Sequence, residues 1–403
     1  MRVAHGFAHR LSVVVPSVTL AVNAKAAALR AKGVDVFGFG VGEPDFDPPA
    51  HVLEAAKRAI DSGAHKYTPV TGIPALKKAI ADDHQKRRGQ EIKTENVCVS
   101  VGAKHALFNV ALALYEPGDE VIIPAPCWVS YPEQVRLVGA EPVIVPTREE
   151  DDWLISPEAL AKALGPKTKA VILCTPSNPT GAAYAEANLR ALADVLRKHD
   201  CWIIVDEIYS ELVYDGFRHV SIAHVAPDLA ARTIVIDGVS KTYAMTGWRI
   251  GWTIAPKEVV QAIDLVQGQS TTNATAIAQH AAVAALTGPQ NTVGEMRAKF
   301  ERRRDVMIAG LNKVPGVRCR KPEGAFYAFA DCRGMYGISH GGKPIASDDE
   351  VAFFLLDEAH VAAVPGGAFG APGYVRFSYA TSEERIEAGL DSMRRAIAGA
   401  RRA

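Results

Sequence analysis

The chain has 403 residues, nearly half of them apolar, so it is longer than one typical domain and can bury a sizeable core. Its 45 basic residues are balanced by 45 acidic ones. That balance excludes the positive excess by which nucleic-acid binders and anionic-membrane binders usually show themselves.

In chain order, the first segment of interest is "HRLSVVVPSVTLAVNAKA". It loosely imitates a secretory signal, but Pro16, Ser17 and Thr19 interrupt its apolar centre, so a structural N-terminal arm is expected. "GFGVG" at 38–42 lacks the spacing of a dinucleotide-binding fingerprint, and "EPDFDPP" follows where a helix should open. A tight glycine turn near a bound ligand is the better reading.

From about 96 to 255, apolar β-branched runs alternate with amphipathic stretches. "NVCVSV", "DEVIIPAP", "EPVIVP", "KAVILCTP", "CWIIVDEIY" and "RTIVIDGVS" read as strands, with helical pieces such as "AKHALFNVALALY" and "EANLRALADVLRKH" among them. Strands apolar throughout and alternating with helices predict an α/β domain with a mainly parallel sheet covered on both faces. Ligands gather outside the carboxyl ends of such strands. The tail predicts a smaller α+β domain: a long helix in "GPQNTVGEMRAKFERRRDVMIAGLNKV" that leads to "GAFYAFADC", a helix near "SDDEVAFFLLDEAH", strands "VAAVPG" and "YVRFSYA", and a closing helix from Ser382. The expected division is an arm and part of the small domain at 1–48, a large domain at 49–290 and the small domain at 291–403.

Six cysteines lie far apart with no C-x-x-C, which predicts buried free thiols in a reducing, cytoplasmic setting. No apolar run is long enough for a membrane helix. No metal motif, Walker loop or serine-hydrolase elbow is present.

The polar residues that carry chemistry follow strand runs. Ser100-Val101-Gly102-Ala103-Lys104 ends one strand and opens a helix, where small residues let backbone N–H groups approach an anion. By itself this is a common α/β turn. "VDEIY" puts Asp206, Glu207 and Tyr209 at the end of an apolar run, where a carboxylate must be paired. A structural ion pair and a counter-charge for a cationic ligand atom both satisfy that demand. "PSNPTG" alone would mean only a loop. In "GVSKTYAMTGWRIGW", Lys241 is either a solvated surface lysine or an amine whose charge is disfavoured, with Arg249 as neighbouring cation and phosphate contact. An anion-binding turn, a buried carboxylate, a phenol, an amine nucleophile and an arginine together match the needs of a pyridoxal phosphate site.

On these and further blocks ("PSVTLAVNAKA", "GEPDFD", "KYTPVTGIPALKKAI", "PGDEVIIPAPCWVSYPE", "EGAFY", "VRFSYATSEE"), the chain resembles the class I aminotransferases of the fold-type I pyridoxal phosphate enzymes, in particular the bacterial aspartate aminotransferase branch. The resemblance implies pyridoxal 5'-phosphate as cofactor and Lys241 as its Schiff-base lysine and proton shuttle. It implies Asp206 at the ring nitrogen, Tyr209 and Asn178 at the phenolic oxygen, and Trp128 stacked on the ring. Gly102, Ala103, Lys104, Ser240 and Arg249 would surround the phosphate, with Tyr67 reaching it in the neighbouring subunit of a homodimer. Arg376 would grip the substrate α-carboxylate beside Gly42, Trp128 and Asn178, and Lys104 would serve the distal carboxylate of aspartate or glutamate. Pro126 and Pro179 match positions often cis.

The implied activity is reversible transfer of the amino group of L-aspartate to 2-oxoglutarate by ping-pong half reactions. The alternatives are a broader aromatic or prephenate range, a β-elimination lyase, a non-catalytic cofactor-binding sensor, and a nicotinamide dehydrogenase built on "GFGVG". Departures from the family pattern are Cys127, Trp252 and His280. Val15 is another, standing where prephenate-using members tend to carry a basic residue.

Overall fold

The computed structural model describes residues 6–14 and 18–401. Fifteen strands, in chain order, are β1 (Phe37–Gly38), β2 (Val97–Ser100), β3 (Glu120–Ala125), β4 (Glu141–Pro146), β5 (Thr168–Cys174), β6 (Trp202–Asp206), β7 (Thr233–Gly238), β8 (Gly251–Ile254), β9 (Arg318–Cys319), β10 (Tyr327–Asp331), β11 (Ser339–His340), β12 (Lys343–Pro344), β13 (Val361–Ala362), β14 (Val364–Pro365) and β15 (Tyr374–Ser378). Seven of them form one sheet in the order β2-β8-β7-β6-β5-β3-β4. Its pairings are parallel except those of β8, which runs antiparallel to both β7 and β2.

The central strands β5, β6 and β7 are buried on both faces of this sheet, which is why they carry unbroken apolar runs. Ala170 and Ile172 of β5 join Ile204 of β6 under the helices Ala103–Leu114 and Lys257–Gly268. The alternate residues Val171, Leu173, Ile203 and Val205 pack under the helix Glu186–Leu196 on the opposite face. Strand β8 is the element that the sequence reading did not single out. It is only four residues long and begins with Gly251, so it carries little strand signal of its own.

A second sheet, antiparallel and ordered β14-β15-β10-β9, lies with the helices Asn291–Leu311 and Glu383–Gly399 around Phe300, Phe326, Phe377 and Leu390. The closing helix starts where Ser382 Oγ accepts from the Arg385 N–H at 3.3 Å, with Glu383 and Glu384 in the first turn. The early chain belongs to this second body. Strand β1 pairs with β13 in parallel, and Val22 and Ala26 of the helix Val18–Ala31 pack with Leu356 and Ala362. "GFGVG" therefore begins in a short strand of the smaller body and is followed by bends, not by a dinucleotide-binding helix. No helix among the described residues is long and apolar enough to cross a membrane.

Candidate active site

The carboxyl ends of β2, β3, β5, β6 and β7 face one side, and the antiparallel β8 begins on that same side. Just past β7, the short helix Val239–Thr242 carries Lys241 inward. Its Nζ donates to Gly42 O at 2.6 Å and lies within 6 Å of the Tyr209 and Phe326 ring centres, at 5.9 and 5.7 Å. Burial pulls the amine down from 10.5 to about 8. Glu43 opposes that fall, and the cations Arg249 and Arg376 add to it. Lys241 is thus an amine held by the protein rather than a solvated one.

Asp206 closes β6 and is buried. Its Oδ2 accepts from the Tyr131 hydroxyl at 2.7 Å, and its Oδ1 accepts from the Ile208 N–H at 3.2 Å. Burial raises it to about 6, against the pull of those two donors. Glu207 points elsewhere and makes the structural ion pair. Arg88 Nε donates to it at 2.8 Å inside the protein, and Arg88 and His219 bring its carboxyl below the ordinary range although burial works the other way. Of the two readings of "VDEIY", the structural ion pair falls on Glu207.

The turn after β2 is built on Gly102 at φ +83°, the residue before the helix Ala103–Leu114. The first N–H groups of a helix have no acceptor within it. A Cβ on Gly102 would lie 2.4 Å from Nη2 of Arg249, so only glycine lets that guanidinium come so close. Arg249 itself is fixed by Nη1 donating to Thr246 O at 2.8 Å. Ser240 is buried nearby in sequence to Lys241. Lys104 is exposed, with Nζ 4.9 Å from the centre of the half-buried Trp128 ring, and partial burial and Arg249 lower its pKa.

Arg376 lies on β15, buried between the Tyr327 and Phe369 rings. Nη1 donates to Asn178 Oδ1 at 2.8 Å and Nη2 to Gly40 O at 2.9 Å, while Nε is buried without a partner. No carboxylate pairs with this cation among the described residues. The Tyr209 hydroxyl meets that of Tyr327 at 2.9 Å, and a Cβ on Gly42 would stand 3.1 Å from the same Tyr327 oxygen. The bonds Ala125–Pro126 and Asn178–Pro179 are cis, and so is Thr175–Pro176, which the sequence did not suggest.

Lys241, Tyr209, Asn178, Arg376 and Gly42 are linked through these contacts, Asp206 lies close enough for its charge and that of Lys241 to influence each other, and Gly102 is joined to Arg249 and Lys104 to Trp128. Tyr67 stands apart, 88 % exposed on the loop before the helix Pro74–Arg88. Val15 lies outside the described residues. The sequence reading missed Tyr131, Tyr327 and Glu43. For Tyr131 a signal existed, since it follows Trp128 by three residues at the start of the helix Ser130–Leu137.

Known proteins resemble this chain along nearly its whole length. The family described as aminotransferase class I and II matches residues 34–393. A protein of Geobacillus stearothermophilus named aspartate aminotransferase is 47 % identical, over 96 % of this chain and 98 % of its own. A probable aspartate/prephenate aminotransferase of Rhizobium leguminosarum bv. phaseoli is 48 % identical, over 94 % and 96 %. The solved aspartate aminotransferase of Rhizobium meliloti has a TM-score of 0.96 at 44 % identity, covering 99 % of this chain and all of that one. With the family model spanning residues 34–393 and relatives 47–48 % identical along nearly its whole length, the chain is a member of the class I and II aminotransferases.

Proposed function

We propose that the protein is a pyridoxal-phosphate-dependent aspartate aminotransferase, passing the amino group of L-aspartate to 2-oxoglutarate in two half reactions. The observation that carries this is the half-buried Lys241 amine, lowered to about 8, beside the buried Asp206 and an Arg376 guanidinium that no carboxylate neutralises among the described residues. The relatives named for aspartate support the choice of substrate.

The residues fit the cofactor. Asp206 offers a buried carboxylate that the protein only partly satisfies, and Gly102 keeps the turn before a helix N-terminus open beside Arg249. Asn178 has its oxygen committed to Arg376, which leaves its NH2 to donate. On this reading Gly102, Ala103, Lys104, Ser240 and Arg249 hold the phosphate, Asp206 the ring nitrogen, and Tyr209 and Asn178 the phenolic oxygen. Trp128 covers the ring, and Tyr67 of a second copy completes the phosphate site, so the working unit is a homodimer. When bound, pyridoxal phosphate supplies an aldehyde for amine exchange and an electron-poor ring that stabilises negative charge at the substrate Cα.

The chain's own residues do the rest. Arg376 binds the α-carboxylate with its planar fork, and Gly42 lets the backbone come close to it. Lys104 meets the distal carboxylate. Lys241, once neutral, would take the proton from the substrate Cα and deliver it to C4′ of the bound cofactor, which is the proton shift that amino transfer requires. We place the cofactor on residues 49–290, with 1–48 and 291–403 contributing Gly42 and Arg376 from the smaller body. Six free cysteines support a reducing, cytoplasmic location.

The test is a kinetic comparison of aspartate, alanine and phenylalanine as donors to 2-oxoglutarate, with Lys241→Ala as control. Aspartate is expected to lead, and Lys241→Ala to abolish turnover. Equal kcat/KM for the three donors, or an active Lys241→Ala, would overturn the reading.

A further inference from the structure

Tyr131 is a buried phenol that none of the roles above uses. It is 2 % exposed, and its backbone N–H donates to Trp128 O at 3.0 Å. Its ring meets that of Trp128 edge to face, with centroids 5.3 Å apart and planes at 83°. Its hydroxyl stands 2.7 Å from Asp206 Oδ2.

An ionised carboxylate only accepts, so in that state of Asp206 the phenol must be the donor. Tyr131 packs in an apolar cluster with Ile172, Ile204 and Cys174, and among the described residues the one other donor to Asp206 is the Ile208 N–H. Burial alone would drive Asp206 to its neutral form. Tyr131 opposes this, and because its ring is wedged on Trp128 it also fixes the direction in which the remaining lone pairs face.

Resting on the reading that the site holds pyridoxal phosphate, we propose that Tyr131 is a positioning residue that keeps Asp206 ionised and aimed at the ring nitrogen, coupling that carboxylate to the Trp128 wall. A phenol serving only to fill space would treat every ligand of the same shape alike. One acting through Asp206 matters only when the ligand has a ring nitrogen.

The experiment measures binding of two ligands to cofactor-free protein by quenching of its fluorescence. The ligands are pyridoxal phosphate and its 1-deaza analogue, which keeps the aldehyde and phosphate but has CH in place of the ring nitrogen. Tyr131→Phe is expected to weaken pyridoxal phosphate about tenfold and to leave the analogue nearly unchanged. Asp206→Ala should lose the same preference, and the double variant should lose no more than Asp206→Ala alone. Should Tyr131→Phe fold poorly, 3-fluorotyrosine at position 131 keeps the shape and strengthens the donor, so the preference for pyridoxal phosphate should rise. An unchanged preference in either variant overturns this inference alone. Absence of saturable pyridoxal phosphate binding by the wild-type protein would instead overturn the function it rests on.

Discussion

Arg376 Nη1 donates to Asn178 Oδ1 across 2.8 Å, tying β15 of the smaller sheet to the loop that follows β5 of the larger one. Under the proposed function, one amide thereby orients the cation that takes the substrate α-carboxylate while its NH2 is left for the cofactor. Asn178→Ala leaves Arg376 less fixed, and KM for aspartate is expected to rise about tenfold. Asn178→Asp puts a carboxylate where the substrate's should bind, and the rise should be larger, about a hundredfold. Steady-state kinetics on both variants checks the order. An Asn178→Asp enzyme with wild-type KM would show that the contact does not govern Arg376.

Arg376 and Lys104 differ in burial, and under the proposed function they serve different carboxylates of the substrate. Arg376 is enclosed between aromatic rings, whereas Lys104 is exposed over Trp128. Arg376→Lys replaces a two-donor fork with a point charge, so kcat/KM should drop for aspartate and alanine alike, by about a hundredfold. Lys104→Met should lower kcat/KM for aspartate about tenfold more than for alanine, since both reactions lose its phosphate contact and only aspartate loses the distal carboxylate contact. A Lys104→Met enzyme that loses both donors equally would place Lys104 on the phosphate alone.

Gly102 has φ +83°, and a side chain there would meet Arg249. Gly102→Ala must strain the turn and displace the guanidinium. Pyridoxal phosphate should bind at least tenfold more weakly, while pyridoxal without its phosphate changes little. Circular dichroism would check that the fold survives. Equal loss for both ligands would mean that the turn supports the sheet rather than an anion.

The carboxyl edge was legible because both covered faces of the sheet demand apolar residues, so the polar residues at strand ends stand out. Lys241, Asp206 and the Ser100–Lys104 turn were found that way. Strand β8 was not, since four residues beginning with glycine carry no periodicity, although its reversed direction is what brings Arg249 to the site. Adjacent acids could not be told apart either. Asp206 and Glu207 separate only because Tyr131 stands on one side and Arg88, 119 residues earlier, on the other. The carbonyls of Gly40 and Gly42, which hold Arg376 and Lys241, belong to the backbone, and no side-chain pattern announces them.

Asp206 makes the stability of the cofactor-free protein depend on pH in a direction that can be worked out. Burial raises its folded-state pKa from 3.8 to about 6, above its value in the unfolded chain. Between those values the folded state binds more protons than the unfolded one, so stability falls as pH rises. The contribution is fully present below about pH 4 and lost once pH has passed through about 6. Asp206→Asn keeps an oxygen for Tyr131 but never ionises, so it lacks this slope. Relative to the variant, the wild-type protein should lose up to about 3 kcal/mol between those limits. Urea unfolding of both proteins from about pH 4.5 to about 7.5 measures the difference. A constant difference would show that the Tyr131 and Ile208 donors fully offset burial, leaving Asp206 ionised across the range.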